Sequence, residues 1–162
     1  MLADKKYLQW CARQNKGIKI ATQSKNLQNA YLKKSQTALQ SMQVNAREGI
    51  DEWAISASYY AKYFAIYALF SQLGIKCEIH DCTIALFGYL FGNDISQPLL
   101  EDLRQAKEDR IDVQYYNAEI SIDLQEMISK TKEFVIVVEE IIDGLNQQRI
   151  DELRQKTKEA LK

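Results

Sequence analysis

Residues 53–81 read W-A-I-S-A-S-Y-Y-A-K-Y-F-A-I-Y-A-L-F-S-Q-L-G-I-K-C-E-I-H-D, from Trp53 to Asp81. As far as Phe70 the run carries four tyrosines and two phenylalanines among alanines, and Lys62 is its only charge. Its length approaches that of a bilayer span. Lys62, the serines and the tyrosines are too polar for a bilayer centre, however, and positive flanks are missing. A helix apolar on nearly all sides is therefore read as the central, buried element of a helical bundle. Gly74 stops it, and a polar loop then delivers His80, the only histidine of the chain, next to Asp81.

The rest of the chain agrees with a helical fold. Among 162 residues there are one proline and six glycines, too few for a turn-rich β protein, and 46% are apolar, enough for a substantial core. Residues 3–15 predict a short amphipathic helix stopped by Gly17. Ser24 is placed to cap a helix over 25–47 whose apolar stripe is Leu27, Ala30, Tyr31, Ala38, Leu39, Met42 and Ala46. Gly49 closes it, and the central helix starts at Ile50 or Asp51 and runs to Leu73. Asp81 is expected to cap a helix over 82–91. Ser96 with Pro98 opens the next helix, which runs to about Tyr116 with Leu99, Leu103, Ala106 and Arg110 on one side. Ser121 is expected to cap a sixth helix carrying Leu124, Met127, Phe134, Val135, Val138 and Ile142. A charged last segment, about 149–161, is either docked or frayed.

No repeat, linker or strand pair is predicted. The fold class is thus all-α, an up-and-down antiparallel helical bundle of four to five core helices in a single domain over 1–162. Residues 1–17 form a leader helix and 147–162 an accessory terminal helix.

Charge and cysteines bound the function. A net charge of −1 argues against a general affinity for nucleic acid, though it leaves room for a local basic face. Cys11, Cys77 and Cys82 form no C-x-x-C pair, and the N-terminus has no apolar signal core; both point to reduced thiols in a cytoplasmic protein. Cys77, His80 and Cys82 make a C-x-x-H-x-C spacing, but a structural zinc site needs a fourth ligand and none lies nearby, so no metal or other cofactor is assigned.

His80 is the candidate general acid or base, weighed against a structural role that the residues favour. Arg110, Asp112, Tyr115 and Tyr116 form a second cluster, able to meet a phosphate and stack on a base, or to hold an Arg–Asp pair between helices. Tyr59, Tyr60, Tyr63 and Tyr67 are expected in the core and at a dimer interface. Lys5–Lys6 and Lys33–Lys34 read as solvated faces. Gly-rich phosphate loops and paired-carboxylate sites are missing.

Four segments together resemble HEPN-domain proteins, in particular small stand-alone prokaryotic ones. They are K-Y-L-Q-W-C-A-R-Q-N-K-G-I-K-I; N-A-Y-L-K-K-S-Q-T-A-L followed by G-I-D-E-W-A-I-S-A-S-Y-Y-A-K-Y-F-A-I-Y-A-L; G-I-K-C-E-I-H-D-C-T-I-A-L-F; and L-R-Q-A-K-E-D-R-I-D-V-Q-Y-Y. The resemblance implies a bundle that often dimerises, and a cytosolic role near nucleotides or RNA. Relatives pair with a minimal nucleotidyltransferase in toxin–antitoxin modules, and some are metal-independent ribonucleases carrying an arginine followed four to six residues later by a histidine. Here the nearest arginine before His80 is Arg47, in another predicted helix, and Lys76 lacks the planar fork of a guanidinium. The expectation is therefore a non-enzymatic homodimeric module that binds a nucleotidyltransferase partner, a nucleotide or RNA. Its candidate binding residues are Tyr60, Lys76, His80, Asp81, Arg110, Asp112 and Tyr115. The alternatives are a ribonuclease using His80 and a scaffolding bundle without a ligand.

Overall fold

The computed structural model of the protein describes residues 4–116, 119 and 121–162. The elements in chain order are α1 (Lys5–Arg13), β1 (Lys19–Ile20), α2 (Lys25–Arg47), α3 (Asp51–Leu73), β2 (Ile75–Lys76), α4 (His80–Phe91), α5 (Gln97–Tyr115), α6 (Leu124–Gly144) and α7 (Gln147–Ala160). The all-α reading holds. The expected start of the first helix at residue 3 lies outside the described residues.

Local chemistry sets the helix ends. The Ser24 hydroxyl accepts from the Leu27 N–H at 3.2 Å, as its position predicts. Asp123, rather than Ser121, caps α6, its carboxylate accepting from Gln125 and Glu126 at 3.0 and 3.1 Å. A carboxylate at the positive end of the helix dipole is the stronger acceptor there. Asp81 is not a cap either: α4 begins one residue earlier, at His80, with no side-chain cap bond.

Gly74 ends α3 with φ 66°. A Cβ there would sit 2.1 Å from Arg154 Nη1 and 2.7 Å from the Ala21 carbonyl oxygen, so both the left-handed backbone and the close approach demand glycine. The same Arg154 donates to the carbonyls of Leu73 at 2.5 Å, Gly74 at 3.0 Å and Ala21 at 3.2 Å. This satisfies the orphan C-terminal carbonyls of α3 and pins α7 to the core. The terminal segment is thus docked, with Ile150, Leu153, Thr157 and Ala160 buried.

Three further expectations are corrected. First, β1 and β2 pair antiparallel, Lys19 with Lys76 and Ile20 with Ile75; two residues per strand are too few for a period-two signal. Second, α2 buries Gln28, Ser35, Ala38 and Met42, whereas Leu27 and Ala30 are exposed. The buried serine makes the contact specific, its hydroxyl donating to the Ala61 carbonyl at 2.7 Å across a close α2–α3 approach. Third, Cys11 and Cys82 form a disulfide between α1 and α4, while Cys77 is a buried free thiol. The thiol ground for a cytoplasmic assignment is thereby removed.

The core is continuous around α3, which packs against α2, α5 and α6 along its length. Lys62, fully buried on α3, donates to Asp102 of α5. Beside it Ser58 and Thr131 share a hydroxyl–hydroxyl bond of 2.9 Å. No helix among the described residues is long and apolar enough to cross a membrane.

Candidate functional site

The site is an aromatic column on α3, bracketed by residues from α4 and α5. Positions 59, 63 and 67 recur every four residues, so their side chains stand one above another on a single helix face. The hydroxyl of Tyr63 donates to that of Tyr67 at 2.9 Å, and Tyr67 donates to the Cys77 carbonyl at 2.6 Å. This chain of bonds fixes the loop that leads into α4 and so fixes His80.

His80 sits at the first turn of α4, half-buried, with its ring stacked on Tyr63 at 4.1 Å between centroids and 15° between planes. Its Nδ1 lies 2.6 Å from the hydroxyl of Tyr59, which is completely buried. Burial holds the Tyr59 hydroxyl protonated well above the usual phenol range. Burial, and then the Arg110 cation, push the His80 imidazole below its ordinary value. Among the described residues this is the one bond of the Tyr59 hydroxyl, so we assign it as O–H donating to Nδ1, which leaves the imidazole proton on Nε2.

Arg110 closes the column from α5. Its guanidinium carbon lies 5.4 Å from the ring centroids of both Tyr59 and Tyr60, within cation–π range. Its Nη1 donates to the Tyr60 hydroxyl at 2.7 Å, and its Nε is buried without a hydrogen bond. His80 and Arg110, 30 positions apart in the sequence, therefore flank the same ring, that of Tyr59.

The other expected residues are elsewhere. Lys76 is exposed on β2 and pairs with Glu78 at 2.9 Å. Asp81 pairs with Lys107 of α5 at 2.7 Å, on an open groove of about 710 Å³ that Tyr7 and Arg104 also line. Asp112 makes no ion pair among the described residues, and the expected Arg110–Asp112 bond is replaced by Arg110–Tyr60. One turn of helix cannot bring residues two apart face to face. Tyr115 and Tyr116 are 69% and 73% exposed. Among the described residues no three His, Cys, Asp or Glu side chains are placed to hold a metal ion. Cys82 is committed to Cys11, and the Nδ1 of His80 to Tyr59.

Tyr59, the residue joining the two candidate clusters, had no mark in the sequence beyond its place in the tyrosine run. The partner of Lys62 was equally hidden. A lone lysine in an apolar helix signals that a carboxylate must exist, without saying where.

The arrangement leaves the Nε of Arg110 without a hydrogen bond among the described residues, and it supplies proton transfer only through a half-buried imidazole with one nitrogen engaged. A comparison with curated proteins finds no match. The model of the HEPN domain matches residues 28–142, from within α2 to the last turn of α6, and so spans the whole column and its brackets. On that match over most of its length, the chain belongs to the HEPN-domain family.

Proposed function

We propose that this chain is a non-catalytic HEPN module, a homodimer that binds a nucleotidyltransferase partner, a nucleotide or RNA. What carries the reading is the state of His80: its Nδ1 is taken by a buried tyrosine, and its pKa is lowered by burial and by Arg110. The lowered pKa makes the imidazole a poorer general acid, and with Nδ1 engaged by Tyr59 and the proton on Nε2 the neutral ring presents no free lone pair to act as a base. The arginine is likewise tethered to Tyr60, and the residues four to six places beyond it are Gln114, Tyr115 and Tyr116, none of them a histidine.

Two experiments test this. The first incubates RNA with the wild type and with His80→Ala; the expected result is no cleavage by either, and cleavage lost on substitution makes the protein a ribonuclease. The second purifies the native protein from its own cell and identifies what accompanies it. A stable monomer that retains no partner, nucleotide or RNA removes the binding reading and leaves a scaffolding bundle. The setting we propose is a toxin–antitoxin-like pair in a prokaryotic cytoplasm. The Cys11–Cys82 bond is at odds with a reducing compartment, and thiol titration of protein quenched directly from cells decides the point.

A further inference from the structure

The Cys11–Cys82 bond joins α1 to α4 across 71 positions. Apart from Cys11 itself, Leu8 is the only buried side chain of the nine-residue α1. Its cations, Lys5, Lys6 and Arg13, are exposed and make no ion pair among the described residues. One leucine sets little apolar burial against the conformational freedom of nine residues, so the docking of α1 leans on the disulfide.

The chain beyond α1 is held by other means. It folds back at Gly17, where a Cβ would sit 1.7 Å from the Cys11 carbonyl oxygen, and Ile18 after it is buried. The Glu78 N–H donates to the Lys16 carbonyl at 2.9 Å, the Ala21 N–H donates to that of Gly74 at 2.8 Å, and β1 pairs with β2. None of these contacts needs the disulfide. Opening the bond therefore frees α1 to swing about residues 14–17 and leaves the core around α3 in place. The HEPN match begins at residue 28, so α1 lies outside the matched domain.

The bond also lies beside the candidate site. Cys82 stands two positions after His80 in the first turn of α4, and Tyr7 of α1 lines one groove with Asp81 and Lys107. Undocking of α1 takes Tyr7 away from that groove and uncovers the Cys82 side of the turn that carries His80. The third cysteine is a poor party to exchange: burial pushes the Cys77 thiol up, which holds it as the unreactive thiol rather than the thiolate.

We propose that Cys11–Cys82 is a redox latch: closed, it holds α1 against α4 beside His80; opened by a small thiol of the glutathione class, it releases α1 and leaves α2–α7 folded. One external thiolate attacks a sulfur of the pair, forming a mixed disulfide and expelling the other cysteine as a thiolate, which takes up a proton. A second external thiolate then attacks the external sulfur of the mixed disulfide. The remaining cysteine leaves and is protonated, and the two external thiols depart as their own disulfide, having passed two electrons to the protein. Both cysteines are wholly buried, so attack waits on a brief opening of α1. The inference goes beyond the functional reading and holds whatever the module binds.

The test treats the intact protein with reduced glutathione or with glutathione disulfide in native buffer. Thiols are counted by alkylation and mass after unfolding, trypsin cleavage after Arg13 is followed in time, and circular dichroism checks the fold. The oxidised protein is expected to show one thiol, that of Cys77, and the reduced protein all three. Cleavage after Arg13 is expected to be about tenfold faster or more on reduction, with the helical signal nearly retained. Cys11→Ser is cleaved at the fast rate with either reagent, and Cys77→Ser follows the wild type. Three thiols after glutathione disulfide, or a bond that glutathione opens only in denaturant, overturns the latch. An open bond with unchanged cleavage also overturns it, because α1 then docks without the bond. So does loss of the helical signal on reduction, which makes the bond a support of the whole fold.

Discussion

Two faces of α3 solve the same problem in opposite ways. The face toward α4, α5 and α6 carries a lysine, several hydroxyls and, laid against it, the only imidazole. Nearly all of these polar groups are satisfied: Lys62 by Asp102, Ser58 by Thr131, Tyr59 by His80, and Tyr63 through Tyr67 to the Cys77 carbonyl. The face over the α2 groove carries rings of similar size that are less covered, Trp53 56% exposed and Tyr60 and Phe64 half-buried. The polar side is therefore the closed one and the apolar side the open one. Burying a polar group is tolerable only where a partner waits, so the satisfied network specifies one packing of the monomer. Uncovered aromatics have no such partner within the monomer, so the second face keeps apolar surface in contact with water.

The sharpest way to break the contrast is to unbalance the closed face. Asp102→Asn leaves the fully buried Lys62 without its carboxylate and is expected to lower unfolding free energy by about 3–5 kcal/mol in denaturant titration, whereas replacing the pair together, Lys62→Met with Asp102→Leu, changes it by about 1 kcal/mol or less. Equal effects for the two would show that the pair contributes packing alone. Next in size is the clamp on the same side. Cys11→Ser or full reduction opens a loop of 71 residues' separation and is expected to remove about 2–4 kcal/mol of stability. Unchanged melting under reductant would mean that α1 docks without the bond.

Protonation gives a smaller, directional effect. The folded protein lowers the pKa of His80 below 6.5, so below that pH the unfolded chain binds a proton that the native state refuses. Stability from this group is complete above 6.5 and falls as the pH drops through it toward the folded value. His80→Gln should flatten that part of the pH–stability profile, and an unaltered slope would assign it to other groups. The smallest effect belongs to the open face. Trp53→Ala, measured in dilute protein, is expected to shift unfolding by no more than about 0.5 kcal/mol, since a side chain 56% exposed leaves little packing to lose. A large loss there would mean that the groove is already part of the monomer core.

How much of this was legible in the sequence depended on range. The limits of α3, Asp51 to Leu73, and the left-handed Gly74 after it follow from periodicity and a stop signal that act within one or two turns. The Ser24 cap is equally local. Where two local candidates competed, the reading failed on strength: Asp123 displaced Ser121, and Ile79 rather than Asp81 precedes α4. The apolar stripe of α2 misled because small polar residues, Ser35 above all, allow closer helix approach than the leucines and tyrosine counted there. At the site, Tyr60, His80 and Arg110 do come together, but Lys76, Asp81, Asp112 and Tyr115 do not join them. Nearness in sequence to a candidate histidine or arginine says little about which face of an element a side chain occupies.

By itself, the sequence determined a helical bundle, a buried central helix with one lysine, most of the helix ends and the resemblance to the HEPN family. Each of these rests on contacts between residues a few positions apart, which the order of residues spells directly. The tertiary structure alone decided that Tyr59 meets His80 across 21 positions, Arg110 meets Tyr60 across 50 and Cys11 meets Cys82 across 71. Pairings at such separations depend on how whole helices pack, and packing is settled by the fit of faces rather than by any local signal.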